Sequence, residues 1–419
     1  MNKRFVGATA VAVLALSGCG SAQAGADSDT TLNITWWGNS ARAEATQKAL
    51  DLFEEENSGI KVQALPSTFD GYYNKLTTQF AADSAPDIFQ DDQVRTFADK
   101  KLLLDLSETS IDLSTIDPAI LKQGTVDDKV YEVPAGTSPM SFVYKQKMLD
   151  KAGVKAPDAD TSWDELLGIA EKLQPTLPEG THALADSSTQ ANHFEVFLRQ
   201  RDKGWFNDDG TAIGFEAKDL EDWWTYWAEV RDKELTTPVD QSIAGSGGDV
   251  AQNPVAKDLV AMGVYGTAVS LPNDEWQYGS VPGEAGNPGV YQMRSSAWAV
   301  NSKTENPEEA AKLVDFLVND PEAAKLLGLS RGVPGSGIAK DAAGDKADDK
   351  GQDIVDYTDY LVKDDNSRPG PDPDPAGTRS LRSDIFVRYA QKVLFKDMSI
   401  DDAAAAATKE ANALLDSLK

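Results

Sequence analysis

Apolar and polar residues follow two different periods along the chain. Leu32, Ile34 and Trp36 recur at every second position, the spacing of a strand, and Gly38-Asn39-Ser40 breaks it. From about Arg42 to Glu56 the period lengthens, with Leu50 and Phe53 at helical spacing, and Asn57-Ser58-Gly59 supplies the stop. Ile60, Val62 and Ala64 begin a second strand, Tyr72 to Ala82 reads as a second helix, and Asp87-Ile88-Phe89-Gln90 as a short buried strand. This βαβαβ order predicts a mainly parallel, doubly wound sheet of the α/β class. Such sheets bind ligands beyond the carboxyl ends of their strands, so Trp37–Arg42, Ser67–Tyr73 and Asp91–Gln93 are the first loops of interest.

Further along, Val130–Met140 is a strand running into a turn-rich segment, Ser141–Tyr144 another strand, and Lys147–Ala152 a helix ending at Gly153. Thr161/Ser162 before Trp163-Asp164-Glu165 has the form of an N-cap followed by first-turn acids. Helices are predicted near Phe194–Lys203, Leu220–Lys233, Pro307–Val318 and Pro321–Leu327, with strands at Leu259–Val269 and Ser296–Val300. The acidic stretch Lys340–Asp353 reads as a solvated loop, Ser367–Gly377 as a Pro/Gly/Asp-rich loop, and two helices close the chain. A chain of 419 residues exceeds what one simple core accommodates, so two lobes are expected.

The amino terminus adds an address. Lys3 and Arg4 precede an apolar run, Val6–Leu16, too short for a transmembrane helix, and Leu16-Ser17-Gly18-Cys19 closes it. This resembles the bacterial lipobox, which implies a signal peptide over 1–18, lipid on the sulfur of Cys19, and a small-residue tether over 19–27. The 40 basic and 68 acidic residues give a net charge of −28, which argues against nucleic acid and anionic membrane surfaces as partners. With Cys19 committed there is no disulfide, and two histidines leave little room for a metal centre or a serine-type triad; no metal or cofactor is expected.

Several segments then share one pattern: Ile34-Thr35-Trp36-Trp37-Gly38, Phe53–Val62, Tyr73-Asn74-Lys75-Leu76, Ala85-Pro86-Asp87-Ile88, Val133-Pro134, Tyr144–Val154, Trp163-Asp164-Glu165-Leu166, Ala310–Leu317 and Gly332-Val333-Pro334. In this order they resemble the extracellular sugar-binding proteins of ABC importers, the group that includes maltose-binding protein; Lys145 departs from the more usual asparagine. The resemblance implies a two-lobed periplasmic-binding-protein-like fold of type II, with a hinge and a ligand cleft between the lobes. It places one lobe at 28–143 and 298–333 and the other at 144–297 and 334–419. It also implies a monomer that is not an enzyme, with an ABC permease as partner, anchored by Cys19 to the outer face of the cytoplasmic membrane.

Sugars are held by flat aromatic faces and by planar polar groups. In the first lobe the candidates are Trp37, Asn39 and Arg42 at a strand-to-helix turn, Asp70 and Tyr72 before the second helix, and Asp91 and Asp92 after the third strand. Alternation favours Trp36 as core and Trp37 as cleft residue; beside Tyr72, Tyr73 is the core candidate. Ser138 lies in a turn that serves a ligand or a hinge equally well. In the second lobe Asn192, His193, Trp224 and Tyr265 are candidates, although Trp223, Trp224, Tyr226 and Trp227 mostly suit a core. Trp298 is a possible stacking platform, and Arg331 either meets ligand or pairs with an acid. Gly245-Ser246-Gly247-Gly248 lacks a P-loop lysine and suits a flexible or ligand-facing loop. The alternatives are a secreted glycoside hydrolase, for which 68 acids supply too many pairs to single one out, and a binding protein for a non-sugar solute.

Overall fold

Strand β1 (Thr30–Trp37) is the first element of the computed structural model, which describes residues 30–244, 252–267, 271–284, 286–363 and 366–419. Cys19, the leader before it and Gly245–Gly248 lie outside the described residues. β2 (Ile60–Ser67) and β3 (Ile88–Asp91) flank β1 in parallel, joined through the helices Ser40–Glu56 and Tyr72–Ala81. Leu32, Ile34 and Trp36 are buried as the alternation predicts, against Ala49, Leu50 and Phe53 of the first helix.

After a small hairpin, β4 (Thr125–Val126) and β5 (Lys129–Val130), the chain passes from β6 (Glu132–Thr137) in one lobe straight to β7 (Met140–Lys145) in the other. β8 (His182–Leu184), β9 (Val260–Gly266) and β10 (Trp276–Gly279) complete the second sheet, in the order β10-β7-β9-β8. β11 (Arg294–Val300) returns between β3 and β6, giving β2-β1-β3-β11-β6. The expectation of mainly parallel strands holds for β1–β3 but not beyond. β11 is antiparallel to both neighbours, and in the second sheet only β8 and β9 are parallel. The hinge explains this, because a strand that starts there must run against one that arrives there: β7 against β9, and β11 against β6.

The second lobe is built around aromatic rings. Trp163, Phe194, Phe197, Trp205, Phe215, Trp223 and Phe386 pack at mutual centroid distances of 5.1–6.1 Å. The helix Trp163–Leu173 opens with the predicted cap, a capping box of Ser162 and Glu165. Lys340–Asp353 is not a loop. Ser336 caps a helix over Gly337–Gly344 and Asp348 caps another over Asp349–Val362. The alanines that make this stretch look featureless let Ala339, Ala342 and Ala343 pack closely on Ala324.

Three chain crossings meet at the hinge. Thr137 and Val333 exchange backbone hydrogen bonds of 2.7 and 3.0 Å, and Ser138 N–H donates to Met293 O at 2.7 Å. Ser295 Oγ donates at 3.1 Å to Gly136 O and closely approaches Arg331 O. Gly332 sits among them with φ of +83°, and a Cβ there would lie 2.0 Å from Thr137 O. Both strain and clash oppose any side chain. Gly332→Ala should therefore cost about 1–3 kcal/mol of stability and lower the melting temperature by a few degrees in calorimetry. An unchanged melting temperature would mean that the crossings carry no such constraint.

Candidate functional site

The carboxyl ends of β1, β2 and β3 open towards the second lobe, where the sheet rule places a ligand. Trp37, the last residue of β1, is half-buried, while its neighbour Trp36 is in the core. Its ring lies 5.6 Å from Phe69, 5.1 Å from Tyr72 and 5.9 Å from Tyr73. Phe69 is 49% exposed at the edge of this wall, with Asp70 exposed next to it. Offset aromatic rings with one open edge form a platform for an apolar face.

The roles of the two tyrosines are the reverse of those expected. Tyr72 is buried, its hydroxyl donating to Gln90 O at 2.7 Å, whereas Tyr73 keeps an accessible edge. Gly71, with φ of +76°, turns the chain just before the helix and sets which of the two faces the core. The Tyr73 hydroxyl lies 3.0 Å from Asp91 Oδ1 and 2.5 Å from Asp92 Oδ1, and accepts the Asp92 N–H. Asp91 is fully buried, so it supports Tyr73 and the turn after β3 and does not face solvent. Its Oδ2 and Oε1 of Glu132 find no other protein partner, while Arg294 Nη1 pairs with Glu132 Oε2. The two acids flank the small residues Ala297 and Ala299 of β11. Burial, and then the Glu132 charge, push the Asp91 carboxyl well above its ordinary range. A single proton on Asp91 directed to Glu132 satisfies both oxygens.

Other candidates are bound up in structure. Asn39 caps the first helix, its Oδ1 accepting Arg42 N–H at 2.9 Å. Arg42 donates to Ser330 O and Trp37 O, tying the β1 turn to the third crossing. Trp298 is 1% exposed, wedged between Gln90 and Val133 in the sheet, and is no platform. Arg331 follows neither proposed role. Its Nε donates to Gln90 Oε1 and Nη1 to Thr46 Oγ1, and the guanidinium sits 4.9 Å from the Trp298 centroid. No acid pairs with it among the described residues; burial, and then nearby Arg42, lower its pKa to about 9.

The second lobe contributes a pinned loop. Trp223 and Trp224 both donate their indole N–H to Ser188 O at 3.3 Å, and Arg231 pairs with Asp186 at 2.7 Å. Trp224 is thus a core residue that holds the loop, and not a ligand platform. Ser187 Oγ in that loop meets His193 Nδ1 at 2.9 Å. The ring retains an accessible edge, yet desolvation lowers its pKa to about 3, so His193 is neutral at ordinary pH. Asn192 is exposed beside it, near a small cavity lined by Met140, Glu195, Val196, Val290, Tyr291 and Met293. Ser138 is buried at the hinge. Tyr265 is buried at the end of β9, and desolvation pushes its hydroxyl up to about 12.

Three residues of the interlobe face escaped the sequence reading as site residues: Phe69, Tyr73 and Arg379. Arg379, from the second lobe, reaches Asp92 Oδ1 at 2.9 Å and lies over the rings of Phe69 and Tyr73. A larger polar hollow of about 300 Å³ lies at the opposite ends of β1 and β3, lined by Asn33, Asp83, Asp87 and Lys303 among others. It is remote from the strand carboxyl ends, and Asp87 there is already bonded to Asn33 and Thr304. Among the described residues no cluster suits a metal ion, and no helix is long and apolar enough to cross a membrane.

The Asp91 carboxyl has a raised folded pKa, so its contribution to stability is full below the unfolded value of 3.8 and is lost as pH rises through the folded pKa. Asp91→Asn should remove that component. The difference in melting temperature between variant and parent should therefore shift in favour of the variant as pH rises from about 4 towards neutrality. A difference that does not change with pH would show that Asp91 titrates normally.

Comparison with known proteins agrees with this architecture. The profile of the family described as bacterial extracellular solute-binding protein matches residues 37–324. YcjN of Escherichia coli K12, assigned to an ABC transporter as its periplasmic-binding protein, is 26% identical over 76% of this chain and 74% of its own length. A family 1 extracellular solute-binding protein from Alicyclobacillus acidocaldarius is 26% identical and superposes with a TM-score of 0.73 over 92% of this chain and 98% of that one. An oligogalacturonide-binding protein from Yersinia enterocolitica, in complex with saturated digalacturonic acid, is similar in fold, with 22% identity and a TM-score of 0.76 over 92% and 99% of the two chains. The chain belongs to the bacterial extracellular solute-binding proteins, the solute-capturing components of ABC importers.

Proposed function

We propose that the captured solute is a carbohydrate, in particular an oligosaccharide, held in the interlobe cleft and passed to the permease. The observation that carries this reading is the partly open aromatic wall of Trp37, Phe69 and Tyr73, bordered by Asp92, Asp70 and Arg379. An apolar ring face framed by planar polar groups suits a pyranose, whose C–H face stacks while its hydroxyls bond in pairs. The sugar ligand of the Yersinia relative supports the same class. The family consists of binding proteins, and Asp91 and Glu132, the buried acids of the first lobe, do not face solvent and so are not presented to a glycosidic bond. In this reading the protein acts as a monomer, held at the outer face of the cytoplasmic membrane by lipid on Cys19.

Calorimetric titration with neutral and acidic oligosaccharides tests the solute class. Trp37→Ala or Phe69→Ala should weaken binding by about 1–3 kcal/mol, roughly 5- to 150-fold. Binding of a peptide or polyamine but of no sugar would overturn the reading. The anchor is tested separately: Cys19→Ala should move the protein from the membrane fraction to the soluble one. Retention on the membrane would refute lipidation at this residue.

A further inference from the structure

Arg379 bridges the two lobes through Asp92. We propose that Arg379 is a positioning residue that sets the balance between the open and closed cleft, by docking from the second lobe into a preformed receptor on the first. The proposal rests on reading the interlobe face as the ligand site, but its test needs no ligand.

The receptor has three parts. Asp92 Oδ1 takes Arg379 Nη1 at 2.9 Å, and the guanidinium carbon lies 4.9 Å from the Tyr73 centroid and 5.3 Å from the Phe69 centroid. A planar cation therefore meets an acid and two aromatic rings at once, which a lysine ammonium does less well. Asp92 is itself steadied by the Tyr73 hydroxyl at 2.5 Å and by the turn that Asp91 holds. The arginine is also steadied at its base. Three residues on, Arg382 grips Asp374 with two bonds of 2.9 Å and Glu195 with bonds of 2.7 and 3.4 Å. Ser383 Oγ donates to Arg379 O at 3.1 Å, and a π-helical turn follows over Leu381–Phe386. Such turns recur at functional sites, where an added residue re-aims a side chain.

A long side chain whose backbone is already fixed loses less freedom when it docks. The second interlobe ion pair, Lys122 with Asp372 at 2.8 Å, has a more exposed cation and a more exposed acid. It is accordingly the weaker clasp. Arg379 and Asp92 remain 40% and 33% exposed, so salt still screens them. The pair biases the lobes towards closure without locking them, and apparent ligand affinity scales with the closed fraction that results.

The test is a distance measurement between the lobes by electron spin resonance on the full-length, ligand-free chain. Spin labels go on Gln47→Cys in the first lobe and Lys172→Cys in the second, both exposed, with Cys19→Ser removing the native thiol. At low salt Arg379→Gln should cut the short-distance population several-fold, and Asp92→Asn should do the same. Raising sodium chloride to about 1 M should mimic the variants in the parent and change Arg379→Gln little. Arg379→Lys should recover part of the closed population. Distance distributions for Arg379→Gln and Asp92→Asn that match the parent at low salt would overturn the proposal, and thermal melting of each variant confirms that it is folded. A failure to bind any sugar would leave this result untouched and would bear only on the solute.

Discussion

The reciprocal hydrogen bonds between Thr137 and Val333 fix where the two lobes meet, and the rest of the architecture is arranged around them. From that point β6 ends, β7 starts and β11 returns, so the strand directions of both sheets follow from it. Arg331, one residue before the tight Gly332, is driven into the first lobe between Gln90, Thr46 and the Trp298 ring. Burying a guanidinium without an acid is costly. Here dipoles and a ring offset the cost, and the third crossing is tied to the first lobe.

Charge around the cleft is managed mainly by arginine. In a chain with net charge −28, Arg294 takes up Glu132 in the first lobe, Arg382 takes up Glu195 and Asp374 in the second, and Arg379 reaches Asp92 between them. Arg42 and Arg331 instead bind carbonyls and side-chain oxygens near the hinge. The residual problem is Asp91 beside Glu132, where burial and the neighbouring charge push the Asp91 carboxyl well above its ordinary range.

Much of this fold can be read from the residues, and the reasons for the exceptions are physical. Alternation separated Trp36 from Trp37 because β1 has one strongly buried face. The same reasoning could not place Trp298, because the latter part of β11 is buried on both faces and period two carries no information there. Tyr72 and Tyr73 were inverted because the phase of a helix is set by the turn that enters it, here a left-handed glycine. Trp224 looked available because its helix carries four aromatic rings and only the packed lobe shows that this one is enclosed. Arg379 is 287 residues from Asp92, and nothing local to either residue announces the pairing.

The distribution of tryptophan has an optical consequence. Of the nine indoles in the chain, eight are buried in the two lobes, and Trp37 alone keeps an accessible edge, on the wall of the cleft. The enclosed rings form a nearly constant background of emission, insensitive to what passes between the lobes. A change in fluorescence colour or quenching that arises at the surface between the lobes therefore originates chiefly from one residue, Trp37.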